Sequence, residues 1–176
     1  MASNLKRLCL VILGFALAAC ASIDQSDSAT AYLVRHAEKL TGDALNELPD
    51  PRDPPLTQAG EQRAEALADL LADAEITRIW STDTKRTRDT AQPLADRLGI
   101  EIKLYDASDL GAFAAQLKRE ASGHVLVVGH SNTTPGLAEA LGADPGPPIV
   151  EATEYDRLYV ISLETGQGEI QRLGAD

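Results

Sequence analysis

Two histidines, two arginines and a carboxylate stand just past the ends of short apolar runs in this 176-residue sequence. Arg35-His36 follows the run 31–34, and Arg86 lies in the segment Ser81–Arg88 that follows 76–80. Tyr105-Asp106 follows 100–104, and His130-Ser131-Asn132 follows 124–128. Such a set suits a phosphoryl group. Arginine forks neutralise its oxygens, and a neutral imidazole can attack phosphorus.

Those side chains converge only if the apolar runs are strands of one sheet. The segments 31–34, 76–80, 100–104 and 124–128 read as strands, the last fully apolar as in a buried parallel sheet. Helices fit between them. Thr57 can cap one reaching about Ala74, with Ala64, Leu67, Leu70 and Leu71 on one face. A second spans 84–98, with Pro93 expected to kink it, and a third 110–121. A short helix is expected after Pro135, and 155–163 and 169–173 read as closing strands. Residues 40–55 read as an irregular loop, because Pro49, Pro51, Pro54 and Pro55 oppose regular structure. The alternation predicts an α/β fold, a three-layer sandwich with a mostly parallel central sheet. In such sheets ligands bind beyond the carboxyl ends of the strands, where the candidate residues stand.

Four blocks in order carry a family resemblance: Leu33-Val-Arg-His-Ala-Glu38, Leu56-Thr-Gln-Ala-Gly60, Ser81 through Arg86 to Ala91, and Val127-Val-Gly-His-Ser131. Together they resemble the histidine phosphatase superfamily, also called phosphoglycerate mutase-like, over about residues 31–175. Ala37 after the histidine resembles the branch of short phosphohistidine phosphatases. The resemblance implies that His36 is the nucleophile and forms a phosphohistidine. It implies that Arg35 and Arg86 bind phosphate oxygens, and that His130, protonated, completes the pocket. Neither a metal nor another cofactor is implied. The family's acid often follows the third strand as a glutamate. Here Asp106 stands in that place, one methylene shorter, with Asp109 as the fallback.

Other polar residues have plainer readings. Ser131, Asn132 and Lys39 are candidate substrate contacts, although Ser131 and Asn132 could equally shape their loop. His124 has no motif partner and reads as structural. Arg88 reads as a surface or rim residue, and Glu38 as a brace for its loop. Asp43, Glu47, Asp50 and Asp53 lack the ligand spacing of a calcium loop.

The N-terminus has a different character. Lys6 and Arg7 precede an uncharged run, residues 8–21, that is short for a membrane span. Leu17-Ala-Ala-Cys20 resembles a bacterial lipobox. That likeness implies a signal peptide over 1–19, a lipidated Cys20 with a tether to residue 28, and a phosphatase domain over 29–176. Ala21, by resemblance to Gram-negative lipoproteins, favours the outer membrane, with the domain facing the periplasm. Acyl chains on Cys20 would make the membrane a partner. Cys9 leaves with the signal and Cys20 is consumed by lipid, so cysteine catalysis is excluded on this reading.

Composition narrows the rest. Sixteen basic against 27 acidic residues give a net charge of −11, which opposes nucleic-acid binding. The length suits one domain, taken as a monomer. The sequence therefore predicts an exported phosphatase acting on a small phosphorylated substrate. Alternatives are a phosphohistidine or phosphoramidate phosphatase, a mutase, and a non-catalytic phosphate-binding lipoprotein.

Overall fold

The computed structural model describes residues 28–174. The signal segment and Cys20 lie outside the described residues. Six strands form one sheet: β1 (Thr30–Arg35), β2 (Ile76–Ser81), β3 (Ile102–Leu104), β4 (His124–Gly129), β5 (Arg157–Ser162) and β6 (Gly168–Arg172). Their order across the sheet is β3-β2-β4-β1-β5-β6. The pairings β3–β2, β2–β4 and β4–β1 are parallel, while β5 and β6 add antiparallel. The chain leaves β1, crosses to β2, moves out to β3 and returns to fill the centre with β4. The carboxyl ends of β1, β4 and β2 thus lie side by side.

Helices cover both faces. On one face α1 (Gln58–Leu71) and α2 (Lys85–Leu98) press Leu67, Leu71, Ala91 and Leu94 onto Val34, Ile79, Leu126 and Val128. On the other, α3 (Leu110–Arg119) and α4 (Thr133–Leu141) press Phe113, Leu117, Leu137 and Leu141 onto Leu33, Trp80, Val127 and Tyr159. Alternate residues of β1 and β4 feed opposite cores, so the strands at the centre must be apolar throughout. The three-layer α/β arrangement is as the sequence predicts.

Local chemistry sets the helix ends. The Gly60 N–H donates to Thr57 Oγ1 (3.1 Å), capping α1, and the Ala112 N–H donates to Asp109 Oδ1 (2.9 Å), capping α3. Gly99 ends α2 with φ of 64°, a left-handed conformation that glycine adopts at little cost.

Several expectations need correction. Gly42–Glu47, read as loop, forms a 3-10 helix, because the first proline comes only at Pro49. Leu70 is 56% exposed, and Ala68 joins the buried stripe with Leu67 and Leu71. The last helix begins at Thr133, with Pro135 inside its first turn, where a missing N–H costs nothing. α2 runs unbroken through Pro93. β3 is only three residues long and lies at the sheet edge.

Candidate active site

β1 delivers Arg35 and His36 to the middle of the sheet. The His36 N–H donates to the Gly129 carbonyl (2.9 Å), which locks the end of β1 to the end of β4. The next N–H, of Ala37, donates to Thr90 Oγ1 on α2 (3.0 Å). His36 is 3% exposed. Its Nδ1 lies 2.7 Å from the Ala37 carbonyl. A carbonyl oxygen only accepts, so Nδ1 carries the proton and Nε2 keeps its lone pair. Burial lowers the His36 pKa to about 3, helped by Arg35, Arg86 and His130 and opposed by the Ala37 carbonyl. The ring is therefore neutral at ordinary pH, the form in which it can act as a nucleophile.

Two guanidinium groups flank it. Arg35 is 3% exposed and lies 4.1 Å over the Tyr155 ring. Its Nη1 donates to the Glu154 carbonyl (3.0 Å), and its Nε is buried without a protein partner. Arg86 opens α2, with Nη1 3.5 Å from Asp53 Oδ1 and Nε likewise unpartnered. Asp53 also accepts the Lys85 N–H (2.7 Å), so the proline-rich loop is bound to the start of α2. Buried N–H groups without partners are costly in isolation, and an incoming oxyanion is a natural acceptor for such donors.

His130 stands opposite His36, with ring centroids 5.5 Å apart. Its Nε2 lies 2.9 Å from Thr82 Oγ1, which in turn donates to Thr87 Oγ1 (3.0 Å). Thr82 spends its proton on Thr87, so His130 donates to Thr82. Burial, then Arg86 and Arg35, lower the His130 pKa to about 4, with Glu151 opposing. The free site thus holds His130 neutral, where the resemblance implied a protonated ring. A bound phosphate would oppose the two arginines and favour the imidazolium.

His36, Arg86 and His130 line a cavity of about 360 Å³ together with Lys39, Ser131, Asn132 and Glu151. Arg35 lines an adjoining cavity of about 410 Å³ with Lys39, Thr41, Glu151, Ala152 and Tyr155. A larger groove of about 730 Å³ between α1 and α2 is lined by Glu61, Glu65, Asp69, Asp89 and Asp96, with no lysine or arginine. That groove repels phosphate. Among the described residues no group of His, Cys, Asp and Glu could hold a metal ion.

The expected acid is misplaced. Asp106 lies with Trp80, Leu104 and Asp109 in a separate surface cavity, and its Oδ1 accepts the Ser108 N–H (2.8 Å). β2 and β4 separate β3 from β1, a lateral offset of roughly 14 Å at ordinary strand spacing. Asp109 fails as a fallback because its carboxylate caps α3. The carboxylate that does line the His36 cavity is Glu151, in the segment between α4 and β5. No motif marks it; the only sequence hint is an acidic residue close before a strand that pairs with β1.

The supporting residues take the expected places. Glu38 accepts both Nε (3.0 Å) and Nη2 (2.7 Å) of Arg63, bracing the loop against α1. Arg88 pairs with Asp83 at the surface and lines neither cavity. His124 Nδ1 accepts the Thr30 N–H (3.0 Å), far from the pocket, as a structural residue should.

The family profile of the histidine phosphatase superfamily (branch 1) matches residues 31–108, the stretch that carries Arg35, His36 and Arg86. Over residues 31–108 the chain belongs to this superfamily. His130 lies beyond the matched stretch, and β4 supplies it to the histidine phosphatase pocket. The chain is similar to SixA from Agrobacterium tumefaciens, at 26% identity and TM-score 0.61, over 85% of this chain and 99% of that one. It resembles the protein histidine phosphatase SixA complexed with tungstate at 20% identity and TM-score 0.62, over 81% and 94%. GpmB of Erwinia tasmaniensis, whose name assigns it to the phosphoglycerate mutases, is 38% identical over 73 residues. That match covers 42% of this chain and 34% of GpmB, so the likeness spans about a third of the curated relative's length.

Proposed function

We propose that this histidine phosphatase superfamily enzyme hydrolyses a small phosphomonoester without a metal, through a phosphohistidine on His36. One observation carries the reading: Nδ1 of His36 is committed to the Ala37 carbonyl, leaving Nε2 as a neutral nucleophile between Arg35, Arg86 and His130. The phosphoryl group docks against Arg86 and His130, with Lys39, Ser131 and Asn132 at the rim. Nε2 attacks phosphorus in line as the ester oxygen leaves. The arginines stabilise charge on the equatorial oxygens, the electrostatic service a metal supplies elsewhere. Water then attacks the phosphohistidine, releasing phosphate and restoring the imidazole. Among the described residues no large insertion covers the pocket, which favours release to water over a mutase cycle.

The proposed setting is the cell envelope. The lipobox-like Leu17–Cys20 supports a lipid anchor on Cys20, with the domain in the periplasm at the outer membrane. A second reading, phosphoramidate hydrolysis, draws support from Ala37 and from the near full-length likeness to the SixA structures.

The test is turnover of p-nitrophenyl phosphate by the full chain in detergent, with and without EDTA, beside His36→Ala. EDTA-insensitive turnover that vanishes in the variant supports the proposal. Absence of turnover by folded protein refutes the ester reading, and cleavage of a phosphohistidine peptide by the same sample would then favour the second. Movement of Cys20→Ala from the membrane to the soluble fraction tests the anchor; an unchanged distribution refutes it.

A further inference from the structure

An alkyl phosphate expels an alkoxide, which leaves quickly only if an acid protonates it. The end of β3 offers none, since Asp106 and Asp109 line a cavity that His36 does not share. Glu151 comes from the other side of the sheet. Lys39 and Glu151 are the two residues shared by the His36 cavity and the adjoining cavity that Arg35 and Tyr155 line. A phosphoryl group against His36 occupies part of the first cavity. A leaving group directed into the second crosses the boundary that Lys39 and Glu151 line.

The segment that presents Glu151 is firmly held. The Val150 N–H donates to Glu154 Oε2 (3.0 Å), and the Glu154 N–H donates back to the Val150 carbonyl (2.8 Å). Glu154 Oε1 accepts from Arg157 (2.8 and 2.5 Å) and Arg172 (2.8 Å). The Glu154 carbonyl accepts from Arg35 itself, so this turn and the pocket arginine share one hydrogen bond. Glu38, Asp53 and Glu154 are each paired with an arginine, whereas Glu151 has no such partner among the described residues. A free carboxyl on a rigid turn, at the mouth between two cavities, is suited to exchange protons with what passes there.

We propose that Glu151 is the proton donor, and then the proton acceptor, of the phosphatase reaction. The step rests on the phosphohistidine reading above. As His36 Nε2 forms its bond to phosphorus, the bond from phosphorus to the ester oxygen breaks. The Glu151 carboxyl gives its proton to that oxygen, and the alcohol departs through the adjoining cavity. Water then enters, and the Glu151 carboxylate takes one of its protons as its oxygen bonds to phosphorus. The P–N bond breaks, its electron pair returns to Nε2, and enzyme and carboxyl are regenerated.

Leaving-group dependence tests this without relying on lost activity alone. We would compare kcat/KM for ethyl, phenyl and p-nitrophenyl phosphate in the full-length wild type, Glu151→Gln and Glu151→Asp. The expected loss in Glu151→Gln is about 10²–10³-fold on ethyl phosphate. It shrinks to about tenfold or less on p-nitrophenyl phosphate, whose leaving group needs no proton. Phosphoenzyme should accumulate in that variant, since hydrolysis needs the same carboxylate, and Glu151→Asp should restore part of the ethyl phosphate rate. An equal loss on all three esters would reduce Glu151 to a positioning charge and overturn the proposal, as would unchanged rates. If instead His36→Ala keeps wild-type turnover, the phosphohistidine reading itself fails, and that result is distinct from either outcome at Glu151.

Discussion

Acid should unfold this protein early, through the two histidines that make its pocket. His36 and His130 have an unperturbed pKa of 6.5, lowered in the fold to about 3 and about 4. Below pH 6.5 the unfolded chain takes up a proton on each imidazole that the native state refuses. Stability is therefore full above that pH and falls as pH drops toward the folded values. Between pH 7 and pH 5 the well-buried His36 removes about 2 kcal/mol and the partly exposed His130, screened by solvent, about 1 kcal/mol, so the pair removes about 3 kcal/mol. With a urea slope of about 2 kcal/mol per molar, the unfolding midpoint moves down by about 1.5 M. The assay is urea denaturation at both pH values in phosphate-free buffer, for wild type and a His36→Asn/His130→Asn double variant. Carboxylates titrate alike in both proteins, so the difference between them isolates the imidazoles. Equal shifts in the two proteins would refute buried neutral histidines, and with them the nucleophile's assigned form.

Other expectations concern particular side chains. Asp106→Asn should change kcat/KM on any phosphate ester by less than about twofold, because its carboxylate caps Ser108 away from the pocket; a hundredfold loss would return the acid to β3. Gly60→Ala should destabilise the fold by about 2 kcal/mol or more in thermal unfolding, since its Cβ would lie 2.2 Å from the Glu38 carbonyl oxygen. Glu154→Gln should cost about 3 kcal/mol, because Arg157 is 3% exposed and would lose its charge partner. The same variant should raise KM for p-nitrophenyl phosphate, as the turn that steadies Arg35 loosens.

Much of the architecture was legible because parallel strands and amphipathic helices write their periods directly into the chain. The apolar run 124–128 reads as a central strand, and Gly129, the last residue of β4, is where the histidine loop begins. The pocket histidines and arginines were legible for the same reason: Arg35 ends a strand, and His36, Arg86 and His130 follow one by one to five residues. The acid was not. Asp106 is close to the expected position in sequence, yet the shortness of β3 and its place at the sheet edge carry it out of reach. Glu151 is distant in sequence and reaches the pocket only through the Glu154–Arg157 pairing and the Arg35 contact. Long-range side-chain networks of this kind have no period. Leu70 shows the local limit: it fits the helical stripe, but one residue of rotation leaves it in water.

The direction of β1 fixes which end of the domain carries the pocket. Thr30 enters the sheet where its N–H meets His124, and the strand ends five residues later, at Arg35 beside the pocket. At about 3.3 Å per residue that is some 17 Å through the middle of the domain. A domain suspended from Cys20 would hang by the end opposite its mouth. Its catalytic opening would face open fluid, and the headgroups of its own bilayer would lie behind it. An enzyme anchored in that way would sample solutes arriving by diffusion, and the lipid would restrict where it works rather than what it works upon.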